Sequence, residues 1–252
     1  MRLTSSVLNL LYSMDLTTDT FFNGKIQVMQ CRAGYRFSID SVLLAFHSGP
    51  RPGDRVLDLG AGCGIVSLIM AVRAPDIRIF AVELQPELCG LADANVNQNR
   101  LGDRIQVMHM DMRLLKPKMT DGPADLIVCN PPYRRSGSGR LNPAEQRAVA
   151  RHEIKITLND ILETTRRMLR TAGRFVTIYT VERITDILVR MRSEHIEPKF
   201  LRMIHSTQDS DAKLVLIEGV KGGKPGLKVA PSLILYDKNG DYTQEVKPMF
   251  DP

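Results

Sequence analysis

One segment restricts the possible folds of this chain more than any other. Residues 56–58 form a short apolar run of strand type that ends in Asp58. Glycine then occupies every second position, at Gly60, Gly62 and Gly64. The apolar stretch 65–71 follows and is long enough to begin a buried helix. A strand, a glycine turn and a helix in this order are typical of an open α/β sheet, which binds ligands at the carboxyl ends of its strands.

Strand-like and helix-like segments alternate after this turn. A second apolar run ends at Glu83, a third precedes Asp111, and a fourth, residues 125–129, precedes Asn130. This alternation predicts an α/β fold of the Rossmann-like type: a seven-stranded, mostly parallel sheet with helices on both faces. Because the carboxyl ends of parallel strands share one edge, the polar residues at these ends are expected to lie together.

The run of glycine and proline at residues 49–53 marks a boundary. Residues 1–50 are predicted to form an N-terminal extension of a helix, a small hairpin and a short helix, which begins near Asp40 or Ser41 and packs on the core. Residues 51–252 are predicted to form the α/β domain. It would close with a C-terminal hairpin around the Asn239-Gly240 turn.

Composition excludes several classes of protein. The four cysteines form no C-x-x-C pair, which indicates free thiols in a reducing cytoplasm and neither a disulfide framework nor a zinc site. No apolar run approaches the roughly 18 residues of a membrane span, so no membrane partner is expected. Lys and Arg number 34 against 28 Asp and Glu, a net charge of +6 that favours a polyanionic partner. Composition leaves the oligomeric state open.

The most specific motif is Asn130-Pro131-Pro132-Tyr133. Two successive prolines fix φ twice and supply no N–H, so the preceding strand must stop and Asn130 is held at its tip. The same four residues could form a loop without function. Their position at the end of an apolar strand, about 70 residues after the glycine turn, favours a functional site.

These motifs together resemble those of class I S-adenosylmethionine (SAM) methyltransferases. The pattern Asp58-x-Gly60-x-Gly62-x-Gly64 is similar to the first motif of that class. With Glu83, Asp111 and the Asn-Pro-Pro-Tyr motif it resembles the enzymes that methylate adenine N6, guanine N2 or a release-factor glutamine. The flanking segments 20–25, 35–44 and 150–153 are similar to the bacterial tRNA1(Val) adenine N6-methyltransferase family, which modifies the adenine next to the anticodon.

The resemblance implies SAM as cofactor and S-adenosylhomocysteine as product. It implies that seven residues contact this cofactor: Asp58, Gly60, Gly62, Gly64, Glu83, Asp111 and Asn130. The glycine turn would bind the methionine part, Glu83 the ribose and Asp111 the adenine. Each has a structural alternative: the glycines can simply make a tight corner, Glu83 can be a solvated carboxylate at a strand end, and Asp111 can be a helix N-cap.

The resemblance also assigns the catalytic residues, Asn130, Pro131, Pro132 and Tyr133. A planar amine is a poor nucleophile, and the Asn130 side chain and the Pro131 carbonyl can accept its two hydrogens. Tyr133 can stack on the target ring, which contributes roughly 1–3 kcal/mol. The target base must then be unpaired or flipped out.

Two further features have both a functional and a structural interpretation. A basic loop follows the motif and carries Arg134, Arg135 and Arg140; it is either a solvated loop or a clamp for RNA phosphates. His152 is either structural or a general base. No metal is expected.

The main prediction is therefore a SAM-dependent RNA adenine N6-methyltransferase acting on tRNA. Alternatives are a release-factor glutamine N5-methyltransferase, an rRNA guanine N2-methyltransferase, a DNA methyltransferase, and a SAM-binding module without catalysis. The chain contains no large added domain for reading DNA sequence, which favours a target recognised by its shape and an exposed loop.

Overall fold

The structure is a computed structural model and describes residues 15–32, 38–131 and 156–250. An antiparallel hairpin comes first and consists of β1 (Leu16–Phe21) and β2 (Ile26–Cys31). The central sheet contains nine strands among the described residues: β3 (Arg55–Leu59), β4 (Arg78–Glu83), β5 (Ile105–His109), β6 (Ala124–Cys129), β7 (Leu169–Thr180), β8 (Ile196–His205), β9 (Ala212–Lys221), β10 (Lys228–Val229) and β11 (Leu233–Ile234).

The α-helices of the described residues are α1 (Ile39–Ser48), α2 (Ile65–Arg73), α3 (Pro86–Gln98), α4 (Leu158–Met168), α5 (Ile184–Ser193) and α6 (Lys247–Phe250). Short 3-10 helices cover Met112–Leu114, Pro117–Met119 and Val181–Arg183. The capping position of α1 is Ser38, so the helix begins before Asp40 and Ser41, which were expected to cap it. Both residues are buried in its first turn.

The strand order is β5-β4-β3-β6-β7-β9-β8-β10, and β11 also pairs with β8. All pairs from β5 to β7 are parallel, whereas β9 is antiparallel to both of its neighbours. The predicted mostly parallel, Rossmann-like sheet is confirmed, and two two-residue strands extend its edge. The chain moves outward from β3 to β5 and returns to β6, so β3 and β6 flank the switch point where such sheets bind ligands.

Side chains of the central strands alternate between two cores. In β6, Leu126 and Val128 pack with α1, α2 and α3, whereas Ile127 and Cys129 pack with α4 and α5. Because both faces are covered, these strands are almost continuously apolar, as expected for a parallel sheet. The predicted helices on both faces are therefore confirmed.

The N-terminal hairpin shares the first of these cores. Ile26 and Val28 of β2 are fully buried and belong to the cluster that contains α2 and α3. The helix predicted within residues 1–14 lies outside the described residues, and the division of the chain at residue 50 stays a prediction.

The C-terminal segment turns back at Asn239 and Gly240. Gly240 has φ +85°, and an antiparallel bridge joins Tyr236 to Tyr242. The ring centroids of Tyr236 and Tyr242 are 5.2 Å apart, and Phe250 stacks on Tyr242 at 4.6 Å. The N–H groups of Leu235 and Tyr236 donate hydrogen bonds to the carbonyls of His205 and Ser206, both at 2.9 Å, and hold the segment against the end of β8.

All four cysteines carry free thiols, and three of them are buried. Within the described ranges, no three or more His, Cys, Asp or Glu residues come together as a possible metal site. None of the helices described here has the length and apolar character needed to cross a membrane.

Candidate active site

The parallel strands bring the predicted site residues to one edge of the sheet. Leu59 of β3 pairs with Val82 of β4 and with Cys129 of β6. The residues that follow, Gly60 and Asn130, therefore lie level with Glu83 at the carboxyl edge. Across this edge the order is Asp111, Glu83, Gly60, Asn130. Neighbouring strands are spaced by about 4.8 Å, so the row extends over about 14 Å.

The glycine turn between β3 and α2 adopts a backbone that other residues rarely accept. The φ values of Gly60, Gly62 and Gly64 are +74°, +58° and +86°. A β-carbon at Gly60 would meet nothing within 4 Å, so that position lies open at the edge. A β-carbon at Gly64 would lie 3.4 Å from the β-carbon of Ala92, so the absence of a side chain there also lets α2 approach α3 closely.

Glu83 supports this turn from the neighbouring strand. Its Oε2 accepts a hydrogen bond from the N–H of Gly62 at 2.9 Å, and its Oε1 accepts one from the N–H of Gln85 at 2.8 Å. The residue is only 6% exposed, so the alternative of a solvated carboxylate is wrong. Each carboxylate oxygen can accept a second hydrogen bond, and Glu83 therefore retains the capacity to bind ribose hydroxyls. That contact stays a prediction.

Asp58 lies behind the turn. It is 1% exposed, and its Oδ2 accepts a hydrogen bond from the Ser67 hydroxyl of α2 at 2.6 Å. Burial raises the pKa of Asp58 to about 6; the negative charge of Glu83 adds to this rise, while the hydrogen bond from Ser67 opposes it. The observed contact ties β3 to α2, and a direct contact of Asp58 with a cofactor stays a prediction.

The first turn of α2 follows the glycine turn directly. Gly64 occupies the capping position and has no side chain to cap the helix, whereas the N–H groups of Ile65 and Ser67 are engaged by the Cys63 thiol and the Asp58 carboxylate. The first N–H groups of a helix have no partner within it, and together with the helix dipole they favour a carboxylate or a phosphate. This end of α2 suits the carboxylate of an amino-acid ligand.

Asp111 follows β5 by two residues and caps the 3-10 helix Met112–Leu114. Its Oδ1 accepts a hydrogen bond from the N–H of Arg113 at 2.9 Å, and the Arg113 guanidinium binds both carboxylate oxygens, with Nη2 2.6 Å from Oδ2. These hydrogen bonds lower the pKa of Asp111. The N-cap alternative is thus observed, and the contact of Asp111 with adenine stays a prediction.

Asn130 is held by Ser41, for which the sequence predicts only a possible role as a helix cap. Its side-chain Nδ2 donates a hydrogen bond to the hydroxyl oxygen of Ser41 at 3.0 Å. Ser41 is 1% exposed in the first turn of α1. With Nδ2 directed at α1, Oδ1 is the acceptor end of this amide, and its contact with a substrate stays a prediction. A buried serine among the apolar residues of a short helix was the only sequence signal for this role.

The end of β6 is also held from the other side. The Thr177 hydroxyl of β7 donates a hydrogen bond to the Cys129 carbonyl at 2.8 Å, and Pro131 is buried. Six of the predicted site residues lie outside the described residues: Pro132, Tyr133, Arg134, Arg135, Arg140 and His152. Their roles stay predictions.

The site is electrostatically suited to a cation. Two buried carboxylates, Asp58 and Glu83, flank the glycine turn, and Asp40 is buried in the first turn of α1. Carboxylates in a partly desolvated site attract positive charge more strongly than they would in water. A ligand with a sulfonium and an ammonium group meets this requirement.

Comparison with known proteins identifies the family of this chain. The family model described as "Methyltransferase small domain" matches residues 36–185, more than half of the chain. A protein of a Flavobacteriaceae bacterium named tRNA1(Val) (adenine(37)-N6)-methyltransferase is 32% identical over 154 residues, which cover 61% of this chain and 63% of that protein. A protein of the same name from Porphyromonas gingivalis is 26% identical, over 94% of this chain and 95% of that protein.

Among solved structures, a predicted O-methyltransferase from Agrobacterium tumefaciens superimposes with a TM-score of 0.67. The match covers 83% of this chain and 94% of that chain, at 20% sequence identity. At this identity the likeness concerns the fold alone.

Proposed function

This chain belongs to the methyltransferase small domain family, and from this premise we propose that it transfers a methyl group from SAM to N6 of an adenine in tRNA, next to the anticodon. The relatives named above carry this activity in their names. The reaction would take place in the cytoplasm. The net charge of +6 is consistent with an RNA partner.

The main support for this function is the order of the residues along the edge of the sheet. Asp111, Glu83, the glycine turn and Asn130 follow one another at strand spacing, and the parts of SAM follow the same order: adenine, ribose, methionine. Asp111 and Glu83 are proposed to bind the adenine and the ribose, and the turn with the first N–H groups of α2 the methionine part. Asp58 supports the turn through Ser67. The bound cofactor supplies an electrophilic methyl group on a positively charged sulfur.

Asn130 lies beside the turn and is proposed to hold the target amine. Its Oδ1 and the Pro131 carbonyl each accept one hydrogen of this amine, which draws electron density onto the nitrogen. These acceptors bind the developing positive nitrogen more strongly than the neutral amine, so they favour the transition state. The product cation is acidic and releases its proton to water, so the proposal needs no dedicated base.

Tyr133 and the basic residues after it are proposed to bind the RNA. Tyr133 stacks on the flipped adenine, and Arg134, Arg135 and Arg140 contact phosphates. Each arginine that contacts a phosphate should contribute about one unit to the slope of log affinity against log salt concentration. A triple alanine variant should therefore bind tRNA with a weaker salt dependence, and an unchanged slope would exclude these contacts.

The decisive experiment uses purified protein, tritium-labelled SAM and bulk tRNA from a strain that lacks this gene. After digestion to nucleosides, the label should appear in N6-methyladenosine. Asn130→Ala should abolish the labelling. The matched control is Asn97→Ala, since the Asn97 amide donates to the Asp93 carbonyl of its own helix, and it should leave the labelling unchanged.

Each other result has a definite meaning. Label in N2-methylguanosine, or in a release factor and not in RNA, would replace the adenine target by the guanine or glutamine target. Full labelling by Asn130→Ala would remove the catalytic role of Asn130. Absence of label in tRNA, ribosomal RNA and release factors would overturn the proposed activity.

A further inference from the structure

We propose that Asn95 is a positioning residue of the cofactor site, because its amide joins the glycine turn to the N-terminal hairpin. Cofactor affinity would then depend on a hairpin that lies outside the central sheet. The inference rests on the proposed function for the identity of the cofactor, and its geometry is independent of the substrate.

The hairpin is attached to α3 by two asparagine side chains that imitate a neighbouring strand. Asn95 accepts a hydrogen bond from the N–H of Met29 at 2.7 Å and donates one to the Met29 carbonyl at 2.9 Å. Asn99 repeats this pattern with Gln27, at 2.9 and 2.6 Å. Four residues of a helix rise by about 6 Å, close to the roughly 6.8 Å covered by two residues of a strand, so the two patterns are in register.

Only one of these two asparagines reaches the cofactor site. Nδ2 of Asn95 also donates a hydrogen bond to the carbonyl of Cys63, at 2.9 Å, within the glycine turn. The corresponding third hydrogen bond of Asn99 goes to the Asn95 carbonyl in its own helix, at 2.7 Å. Asn95 is fully buried, and both hydrogens of its amide are used. The bonding pattern also defines which end of the amide is nitrogen.

The Asn95 bond restrains one peptide group of the turn. The carbonyl of Cys63 is held by Asn95, and the N–H of the same peptide, on Gly64, donates to the Ala61 carbonyl at 2.9 Å. With both ends bound, this peptide cannot rotate without breaking a hydrogen bond. Removal of the Asn95 amide would leave the Cys63 carbonyl buried without this donor, and the turn would relax to find another.

The coupling acts in both directions. If hairpin docking orders the turn for the cofactor, cofactor binding must stabilise hairpin docking by the same factor. Bound S-adenosylhomocysteine should therefore slow hydrogen exchange at the Met29 amide as well as within the turn. This reciprocal effect distinguishes a positioning residue from one that only stabilises the fold.

The test compares Asn95→Ala with Asn99→Ala in the full-length protein. Each variant loses one asparagine of the ladder, but only the first loses a bond to the turn. S-adenosylhomocysteine affinity is measured by calorimetry. Hydrogen exchange is followed without ligand and with bound S-adenosylhomocysteine at residues 60–64 and at Gln27 and Met29. If Asn95→Ala does not fold, Asn95→Ser is used, because its hydroxyl can still donate one hydrogen bond.

We expect Asn95→Ala to raise the Kd for S-adenosylhomocysteine about tenfold and Asn99→Ala to change it less than twofold, since only Asn95→Ala removes a buried hydrogen bond to the glycine turn. Exchange within the turn should accelerate in Asn95→Ala alone, and exchange at Gln27 should accelerate in Asn99→Ala. With Asn95→Ser, smaller changes in the same direction are expected.

The inference would be overturned if the two variants changed the Kd for S-adenosylhomocysteine and the hydrogen exchange of residues 60–64 equally. It would also be overturned if both variants kept the wild-type Kd and the wild-type exchange rates. If the wild-type protein does not bind S-adenosylhomocysteine, the cofactor assignment fails. Hydrogen exchange within the turn still decides whether Asn95 positions it, so the two failures are distinguishable.

Discussion

The side-chain Nδ2 of Asn130 lies 3.0 Å from the hydroxyl oxygen of Ser41, to which it donates a hydrogen bond across 89 residues of sequence. Asn130 directly follows the central strand β6, and Ser41 lies in the first turn of a helix that precedes the whole parallel sheet in the sequence. Helix α1 therefore orients the amide that is proposed to recognise the target amine. The strand end fixes only the backbone of Asn130, whereas the bond to Ser41 also restrains its side chain.

Ser41→Ala should lower the turnover number of methylation about tenfold, because Asn130 would lose one hydrogen bond that orients it. The affinity for S-adenosylhomocysteine should change little. The control is Ser48→Ala in the same helix, where the buried hydroxyl donates to the Leu44 carbonyl at 2.6 Å. Single-turnover assays with saturating tRNA measure the effect. Equal rates in the two variants would show that Ser41 does not position Asn130.

Glu83→Gln should weaken S-adenosylhomocysteine binding more than tenfold and reduce stability by about 1–3 kcal/mol. Glutamine has a single acceptor oxygen, so either the Gly62 or the Gln85 N–H would face an amide NH₂. Calorimetry and denaturant unfolding measure the two effects. Glu87→Gln, in the first turn of α3, controls for the loss of one negative charge near the edge. A Glu83→Gln protein with wild-type affinity would exclude a role of this carboxylate in the site.

Asp58→Asn should make stability less dependent on pH. In the folded protein Asp58 holds its proton up to about pH 6, whereas in the unfolded chain it releases the proton near 3.8. The folded state thus binds more protons in this range, and the contribution of Asp58 to stability decreases as pH rises from about 4 to about 6. Between pH 4.5 and 7.5 the variant should gain about 2 kcal/mol relative to the wild type. Denaturant unfolding at several pH values measures this gain. A difference in unfolding free energy between variant and wild type that stays constant across this pH range would contradict the raised pKa of Asp58.

Asp111→Ala and Arg113→Ala separate the two roles of Asp111. Both variants lose the ion pair, but only the first removes the carboxylate proposed to bind adenine. We expect Asp111→Ala to raise the Kd for S-adenosylhomocysteine about fivefold to tenfold, as for the loss of one charge-assisted hydrogen bond. Arg113→Ala should leave it within twofold. If both variants bind equally well, Asp111 acts only as the cap of the 3-10 helix Met112–Leu114.

Local sequence patterns determined the architecture of this protein. Alternating strand and helix periods predicted the parallel sheet, and the three glycines indicated a turn with positive φ after β3, which all three adopt. The strand ends at Glu83 and Asn130 could be located because an apolar run stops there. Parallel pairing then dictated that these ends share one edge.

Only the tertiary structure decided which side chains contact one another at this edge. Ser41 is hydrogen-bonded to Asn130, and Asn95 to both Met29 and Cys63. The Glu83 carboxylate is hydrogen-bonded to the glycine turn. These partners are 21 to 89 residues apart. No periodicity of the chain records such a pairing, because it depends on how α1, α3 and the hairpin pack against the sheet. The packing of these elements therefore determines how the side chains are oriented, whereas the sequence pattern determines that Glu83 and Asn130 lie at the ends of strands.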